Sequence, residues 1–265
     1  MSGPNRTLAL TVEEGGVGVI GLDRPHKRNA LDAVMHHELL AALDGWAEDD
    51  TVSCVMLYGT EEIFCAGWDL SVLEGLRGGE RSRFTDLACK LMTALYDYRK
   101  PTVAAVAGMA PGYGMDVANM CDVTVASENA RFSSTQVKYG MAGFYGGLQR
   151  KVGPMRARRM FFTGDAIDVR EAHRIGLVDE VAPLGGLREQ ALDTARRIAA
   201  MGPEMSTILK EVALRAQNMD HIGGIAYELR VTHDLTQRQV FQERTPAGLQ
   251  RIREGDSAAS ERTLR

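Results

Sequence analysis

Residues 102–116 read Thr102-Val103-Ala104-Ala105-Val106-Ala107-Gly108-Met109-Ala110-Pro111-Gly112-Tyr113-Gly114-Met115-Asp116. The apolar run over 102–107 suits a strand buried on both faces. The glycines and proline after it turn the chain. A short helix to Cys121 and a strand over 122–126 complete a strand–turn–helix–strand unit. The same grammar lies upstream, where the apolar run 52–58 ends at Gly59 and a helix over 84–98 leads through Lys100-Pro101 into the strand at 102. Nearer the start, 8–13 and 17–22 read as strands joined by the turn Glu14-Gly15-Gly16. Asp23-Arg24-Pro25 stops the second of them. Leu31, Val34, Met35, Leu39, Leu43 and Trp46 then recur at helical spacing. Downstream, a helix over 169–174 precedes a strand over 177–181. Strands alternating with helices predict an α/β architecture. After Gly185 only helical patterns remain, over 187–200, 203–216 and 222–253, followed by a polar tail over 255–265. The expected organisation is a core over residues 1–200 and a helical region over 201–265.

The bulk numbers exclude several classes. Of 265 residues, 45% are hydrophobic and 25% charged, a balance that argues against disorder and against a fibrous protein. A net charge of -4 offers no overall basic face, so nucleic acid is not an expected partner. No apolar run reaches the ~18 residues of a membrane span, and residues 1–10 lack the charged-then-apolar pattern of a secretory leader. Cys54, Cys65, Cys89 and Cys121 form no Cys-x-x-Cys pair and draw no histidine cluster. Free thiols in a reducing cytoplasm, with no bound metal, are the expectation.

Two loops carry the chemistry. The first, Phe64-Cys65-Ala66-Gly67-Trp68-Asp69-Leu70, follows the strand at 52–58; the second is the glycine-rich turn at 107–116. Small residues let a ligand approach the backbone, and a helix N-terminus adds free N–H donors and a partial positive charge. Such loops can grip an oxygen that becomes negative during reaction. Taken singly, each loop reads equally well as a tight turn held for packing.

Taken together and in this order, the loops resemble the two signatures of the enoyl-CoA hydratase/isomerase (crotonase) superfamily. The first signature is similar to Phe64-Cys65-Ala66-Gly67 with Asp69-Leu70. The second is similar to residues 104–108, the glycine-rich turn and Met120-Cys121-Asp122. Further stretches are similar too: Asp23-Arg24-Pro25 with Asn29-Ala30-Leu31, Ala130-Arg131-Phe132 with residues 146–150, and Thr163-Gly164 with Glu171-Ala172, Gly176-Leu177-Val178 and Val181. The resemblance spans about residues 8–253.

It implies a spiral of ββα units followed by helices that pack against neighbouring subunits in a homotrimer or homohexamer. It implies an acyl-CoA or enoyl-CoA substrate, with coenzyme A entering as part of the substrate and no separate cofactor, metal or nicotinamide. The shared chemistry is polarisation of a thioester carbonyl by two backbone N–H groups, which by position are those of Trp68 and Tyr113. The family usually has glycine at the second position, so Gly114 stands as an alternative donor. Gly67, Leu70, Gly112 and Gly114 belong to the same substrate-binding loops. Lys27 and Arg28 fall where the family contacts the adenosine and phosphate end of the coenzyme; a solvated basic turn is the plain alternative. Backbone groups near Ala30 and Ala66 would meet adenine and pantetheine. Asp69 reads first as a helix N-cap that also orients its loop.

The acid/base positions depart from the hydratase pattern. Hydratases of this family resemble one another in using two glutamates, and here those positions align with Asp116 and Gln136. One carboxylate is shortened, and the other is an amide that cannot act as a base near neutral pH. The position where other branches place an aspartate is Phe144, read as inert. Its neighbour Tyr145 carries a phenol, for which packing or proton donation are the two readings. His233 is read as a surface residue before a pocket residue. The expected activity is a lyase or isomerase that forms a thioester enolate with Asp116 as acid/base. The alternatives are a decarboxylase, a thioester hydrolase, or a protein that binds acyl-CoA without turnover.

Overall fold

The computed structural model describes residues 7–253. Strands β1 (Leu8–Glu13) and β2 (Val17–Leu22) form an antiparallel hairpin. β2 then pairs in parallel with β3 (Cys54–Tyr58), β3 with β4 (Thr102–Val106), β4 with β6 (Val123–Ser127), and β6 with β9 (Glu180–Ala182). The order β1-β2-β3-β4-β6-β9 makes one six-stranded sheet. Its central strands are apolar without interruption because both faces are covered. In register, Met56 stands between Val19 and Val103. These three, with Cys54, Ala105 and Val125, face α7 (Leu187–Ala199), which contributes Leu187, Ala191, Leu192 and Ala195. The alternate residues Val55, Leu57, Ala104 and Val106 face a larger cluster. It is built by α1 (Ala33–Ala47), α3 (Gly79–Tyr96) and α4 (Tyr113–Met120), through Met35, Leu39, Leu43, Leu91, Leu95 and Met115.

A second, three-stranded sheet joins β5 (Met109–Pro111), β7 (Arg131–Ser133) and β8 (Ala166–Asp168). No sequence pattern foretells it, because three residues are too few to display a period. Nor does one foretell α5 (Tyr145–Thr163), a basic helix broken at Gly153-Pro154. The remaining helices of the core are α2 (Leu70–Gly75), α6 (Val169–Arg174) and most of α8 (Gly202–Ala216).

The first compact unit runs to Lys210, beyond the expected boundary at residue 200. Chemistry explains the extension: Lys210 is buried, with Nζ 2.5 and 2.6 Å from the Asp122 carboxylate oxygens. That carboxylate also accepts from Thr102 N at the start of β4. The second unit contains α9 (His221–Thr236), capped by Asp220, and α10 (Gln239–Arg253). Ile222, Ile225 and Leu229 on α9 are exposed in the single chain. The polar tail over 255–265 lies outside the described residues.

Candidate active site

The two loops leave the C-terminal ends of adjacent parallel strands, β3 and β4, where ligands of α/β sheets commonly bind. They are stitched together by Phe64 N donating to Ala107 O at 2.8 Å and by bridges from Ile63 to Gly108 and Met109. Their approach leaves no room for side chains. A Cβ on Gly114 would stand 2.1 Å from Cys65 O, and one on Gly67 would stand 3.4 Å from Tyr113 N. Gly67 also has φ +91°, a conformation that costs other residues dearly.

Backbone pairing around the two expected donors leaves their own N–H groups unspent. Leu31 N donates to Gly67 O, and Leu31 O accepts from Asp69 N. That parallel bridge spends the polar groups on either side of Trp68 and turns the Trp68 N–H to the opposite side of the strand. Tyr113 opens α4, so its N–H has no intrahelical acceptor. Gly112 precedes it with φ +56° as the N-cap, and Gly112 N is anchored to Ser133 O of β7 at 2.7 Å.

The first loop is braced from behind. Asp69 caps α2, accepting from Ser71 N at 3.1 Å and Ser71 Oγ at 2.5 Å. Arg24 Nη2 lies 3.3 Å from Asp69 Oδ2 and 3.0 Å from Asp32 Oδ2, while Nη1 donates to Ala30 O. Asp32 in turn caps α1 through Met35 N. Burial pushes the Asp69 carboxyl up, but the Ser71 hydrogen bond and the charges of Lys27 and Arg24 outweigh it and hold the group below its ordinary range. Breaking a buried pair of this kind typically costs about 3–5 kcal/mol. Buried Asn29, at φ +54°, accepts from Arg24 N and donates to Phe64 O. Arg24 and Asn29 were visible in the sequence only as matched residues; their bracing role needed the fold.

Two cavities meet at the loops. One of about 390 Å³ is lined by Trp68, Thr85, Cys89, Tyr113, Asp116, Gln136, Met141, Ala142, Gly143 and Phe144. The other, of about 270 Å³, is lined by Ala66, Gly67, Trp68, Leu70, Met109, Pro111, Gly112, Tyr113, Thr135, Gln136, Tyr139 and Met141. Trp68, Tyr113, Gln136 and Met141 stand in both walls. Among the described residues, neither lining includes Lys, Arg or His. A larger groove of about 900 Å³ lies elsewhere, walled by Arg156, Arg159, Glu171 and Arg174, among others. Its charges answer one another, with Arg174 and Arg156 both on Glu171, and neither loop reaches it.

Asp116 and Gln136 are brought together, 20 residues apart in sequence. The small sheet does this: β7 runs beside β5 and delivers the 3₁₀ turn at Thr135–Tyr139 to the first turn of α4. Gln136 Nε2 donates to Asp116 Oδ2 at 2.6 Å. The Phe144 backbone N–H also favours the ionised form of this carboxyl, so the residue read as inert bears on it through its main chain. Complete burial raises the Asp116 pKa to about 8, and the Phe144 N–H and the Gln136 amide only partly oppose the rise. Gln136 is itself packed between Gly112 and Gly143.

Other candidates lie elsewhere. Tyr145 lines neither cavity; its hydroxyl donates to Pro154 O at 3.4 Å and its ring stands edge-on to Phe161, which is the packing reading. His233 is exposed beside Asp234. Lys27 and Arg28 are exposed on the 3₁₀ turn before α1, with Lys27 Nζ 3.3 Å from Ser71 Oγ; Arg28 O accepts from Ala66 N, so this basic turn abuts the first loop. Ala30 is buried beneath it. All four cysteines are free thiols. Burial pushes Cys54, Cys65 and Cys121 up to about 12.

Known proteins resemble this chain over most of its length. The model of the enoyl-CoA hydratase/isomerase family matches residues 12–257. A protein named "Probable enoyl-CoA hydratase" from Rhizobium meliloti is 35% identical over 233 residues, 85% of this chain and 88% of its own length. The 2,3-dehydroadipyl-CoA hydratase of Escherichia coli is 32% identical over 239 residues, covering 86% of this chain and 93% of its own. The crystal structure of an enoyl-CoA hydratase from Mycobacterium smegmatis matches with a TM-score of 0.88 at 26% identity, covering 93% of this chain and 97% of that one.

Proposed function

The chain belongs to the enoyl-CoA hydratase/isomerase family, and from that premise we propose that it binds an acyl-CoA thioester with the carbonyl oxygen between the N–H groups of Trp68 and Tyr113. The acyl group enters the cavity of about 390 Å³, and the pantetheine arm leaves through the cavity of about 270 Å³. Coenzyme A is part of the substrate, and its adenosine and phosphate end meets Lys27 and Arg28.

The observation that carries the reaction is the Asp116–Gln136 pair. Among the described residues, Asp116 is the single carboxylate in either lining, and the group 2.6 Å away is an amide. An amide neither takes nor gives a proton near neutral pH. Hydration needs one group to activate water and another to protonate carbon; movement of a proton within the acyl chain needs one. The pair therefore favours isomerisation: ionised Asp116 removes a proton from one carbon of the acyl chain, the thioester enolate rests on the two N–H groups, and Asp116 returns the proton to another carbon. The lack of cationic side chains in the lining favours an acyl group with an uncharged far end.

The raised pKa of Asp116 supports a second reading, decarboxylation of a thioester bearing a carboxylate next to the carbonyl-linked carbon. The C–C bond breaks, CO₂ leaves, its electron pair forms the enolate, and neutral Asp116 protonates the carbon before recovering a proton from solvent. The experiment is a panel of enoyl-, β,γ-enoyl-, malonyl-type and saturated acyl-CoA esters read by mass spectrometry and NMR in deuterated water. Deuterium incorporation with double-bond migration supports the first reading, and loss of about 44 mass units, the mass of CO₂, supports the second. Efficient water addition to crotonyl-CoA would refute the argument from Gln136.

A further inference from the structure

The two residues proposed to donate to the thioester both carry large aromatic side chains, and those rings are not left to themselves. Trp68 stands 5.3 Å from Tyr113 between ring centroids, Tyr113 5.5 Å from His36, His36 5.4 Å from Phe84, and Phe84 5.6 Å from Trp68. All four separations lie in the range where aromatic rings attract. The rings close a circuit that joins the first loop, α4, α1 and α3.

Hydrogen bonds pin one corner of it. His36 is fully buried and lines neither cavity. Its Nδ1 lies 2.7 Å from Asp32 O. A carbonyl only accepts, so that nitrogen carries a proton. Its Nε2 lies 3.2 Å from Tyr113 Oη, which is also 3.0 Å from Ala88 O. With Nδ1–H given to Asp32 O and burial keeping the imidazole neutral, Nε2 is an acceptor, so the single Tyr113 phenol proton is shared in alternation between Nε2 on α1 and Ala88 O on α3. Asp32, which holds the far side of the imidazole, is joined through Arg24 to Asp69, the neighbour of Trp68. His36 therefore reaches both donor residues, one through its ring and Nε2, the other through Nδ1, Asp32 and Arg24. The Trp68 indole N–H takes no part in this: it is buried near Tyr113 Oη but outside hydrogen-bonding geometry.

We propose that His36 is a positioning residue of the oxyanion hole, holding the Tyr113 and Trp68 side chains so that their two backbone N–H groups converge on one carbonyl oxygen. The inference rests on the reading of those N–H groups given above. It explains how a site with tyrosine in place of the usual small residue keeps its backbone donors aligned: the side chain is used as a tether. Small displacements matter here, because donors act only within about 2.7–3.1 Å of the developing oxyanion.

The test reads carbonyl polarisation directly. Hexanoyl-CoA labelled with ¹³C at the thioester carbonyl is bound to the full-length protein and observed by isotope-edited infrared spectroscopy. In the unaltered protein the carbonyl stretch is expected to fall below its value in buffer. His36→Leu is expected to return the band most of the way to the free value while changing the dissociation constant less than about threefold. It should also lower kcat at least tenfold on any ester turned over, with KM little changed; complete removal of one donor costs about 10²–10³. Tyr113→Phe keeps the ring and loses the tether, so it should reproduce part of the effect even if His36→Leu fails to fold. His36→Gln retains a group able to meet Oη and should recover part of the shift. The double variant His36→Leu/Tyr113→Phe should lose no more than His36→Leu alone. A full shift in both His36→Leu and Tyr113→Phe overturns the inference. No binding, or no shift in the unaltered protein, overturns the oxyanion reading and the inference with it.

Discussion

Replacement of Asp116 by asparagine should separate stability from activity. The Asp116 carboxyl is fully buried, with its pKa raised from 3.8 to about 8. Between those values the folded chain keeps a proton that the unfolded chain releases. Stability conferred by the neutral acid is therefore complete below about pH 4 and is lost as pH rises, until the folded form also ionises near 8. The loss is about 1.4 kcal/mol per pH unit, and on the order of 5 kcal/mol across the whole interval. The asparagine of the variant does not titrate. It also presents the same pattern as a neutral carboxyl, one acceptor and one donor side, provided the Gln136 amide turns over to meet it. The variant should thus match the parent near pH 4–5 and outlast it increasingly towards pH 8, with a gap that widens by about 3 kcal/mol between pH 5 and pH 7.

Urea unfolding of both proteins at pH 5, 6, 7 and 8 measures this, with protein concentration held fixed so that any association affects both alike. The same variant should lose about 10²–10⁴ in kcat, the usual contribution of a general acid or base. Curves that stay parallel across pH would show that Asp116 titrates at an ordinary value and that the burial argument is wrong. The pH–rate profile then divides the two proposed reactions. If ionised Asp116 must remove a proton, kcat/KM rises with pH and levels off above about 8; if neutral Asp116 must supply one, kcat/KM falls through the same point.

Gln136→Glu places a second carboxylate beside Asp116 and should raise crotonyl-CoA hydration at least about tenfold, measured by loss of enoyl absorbance; no gain would mean that Gln136 is not what limits water activation. Gly114→Ala drives a methyl to 2.1 Å from Cys65 O. It should therefore separate the loops and abolish turnover, and unchanged kinetics would contradict the loop contact. Tyr145→Phe removes only the hydrogen bond to Pro154 O, so kcat should stay within about twofold of the parent, and a larger fall would return Tyr145 to the chemistry. The exposed Ile222, Ile225 and Leu229 of α9 call for cover. Light scattering should therefore report a homotrimer or homohexamer at micromolar concentration, and a monomer would refute that assembly.

What the sequence made legible follows from the range over which each physical signal acts. Strands β3 and β4 announce themselves because a sheet covered on both faces needs unbroken apolar residues, and about five in a row suffice to see it. The glycine loops are legible for a local reason as well: Gly67 has positive φ and Gly114 touches a carbonyl, and each demand falls on a single residue. The pairing of Asp116 with Gln136 is a different matter. It depends on β5, β7 and β8, strands of three residues whose partners come from distant parts of the chain, so no window of sequence contains the signal. Register in such short strands is set by what surrounds them, and residue type at 136 told only that a carboxylate was missing, not that the amide would seize the one remaining. Phe144 carries the same lesson. Its side chain is apolar and suggests no role, yet its backbone N–H favours the ionised form of Asp116, and a main-chain group leaves no mark on residue identity. Tyr145 errs in the opposite direction: its phenol marks it as a candidate, but helix α5 begins at that residue and directs the hydroxyl to its own kink. Chemistry written in side chains can be nominated from sequence, whereas chemistry written in backbone groups must wait for the fold that aims them. In this protein the proposed oxyanion donors are of the second kind.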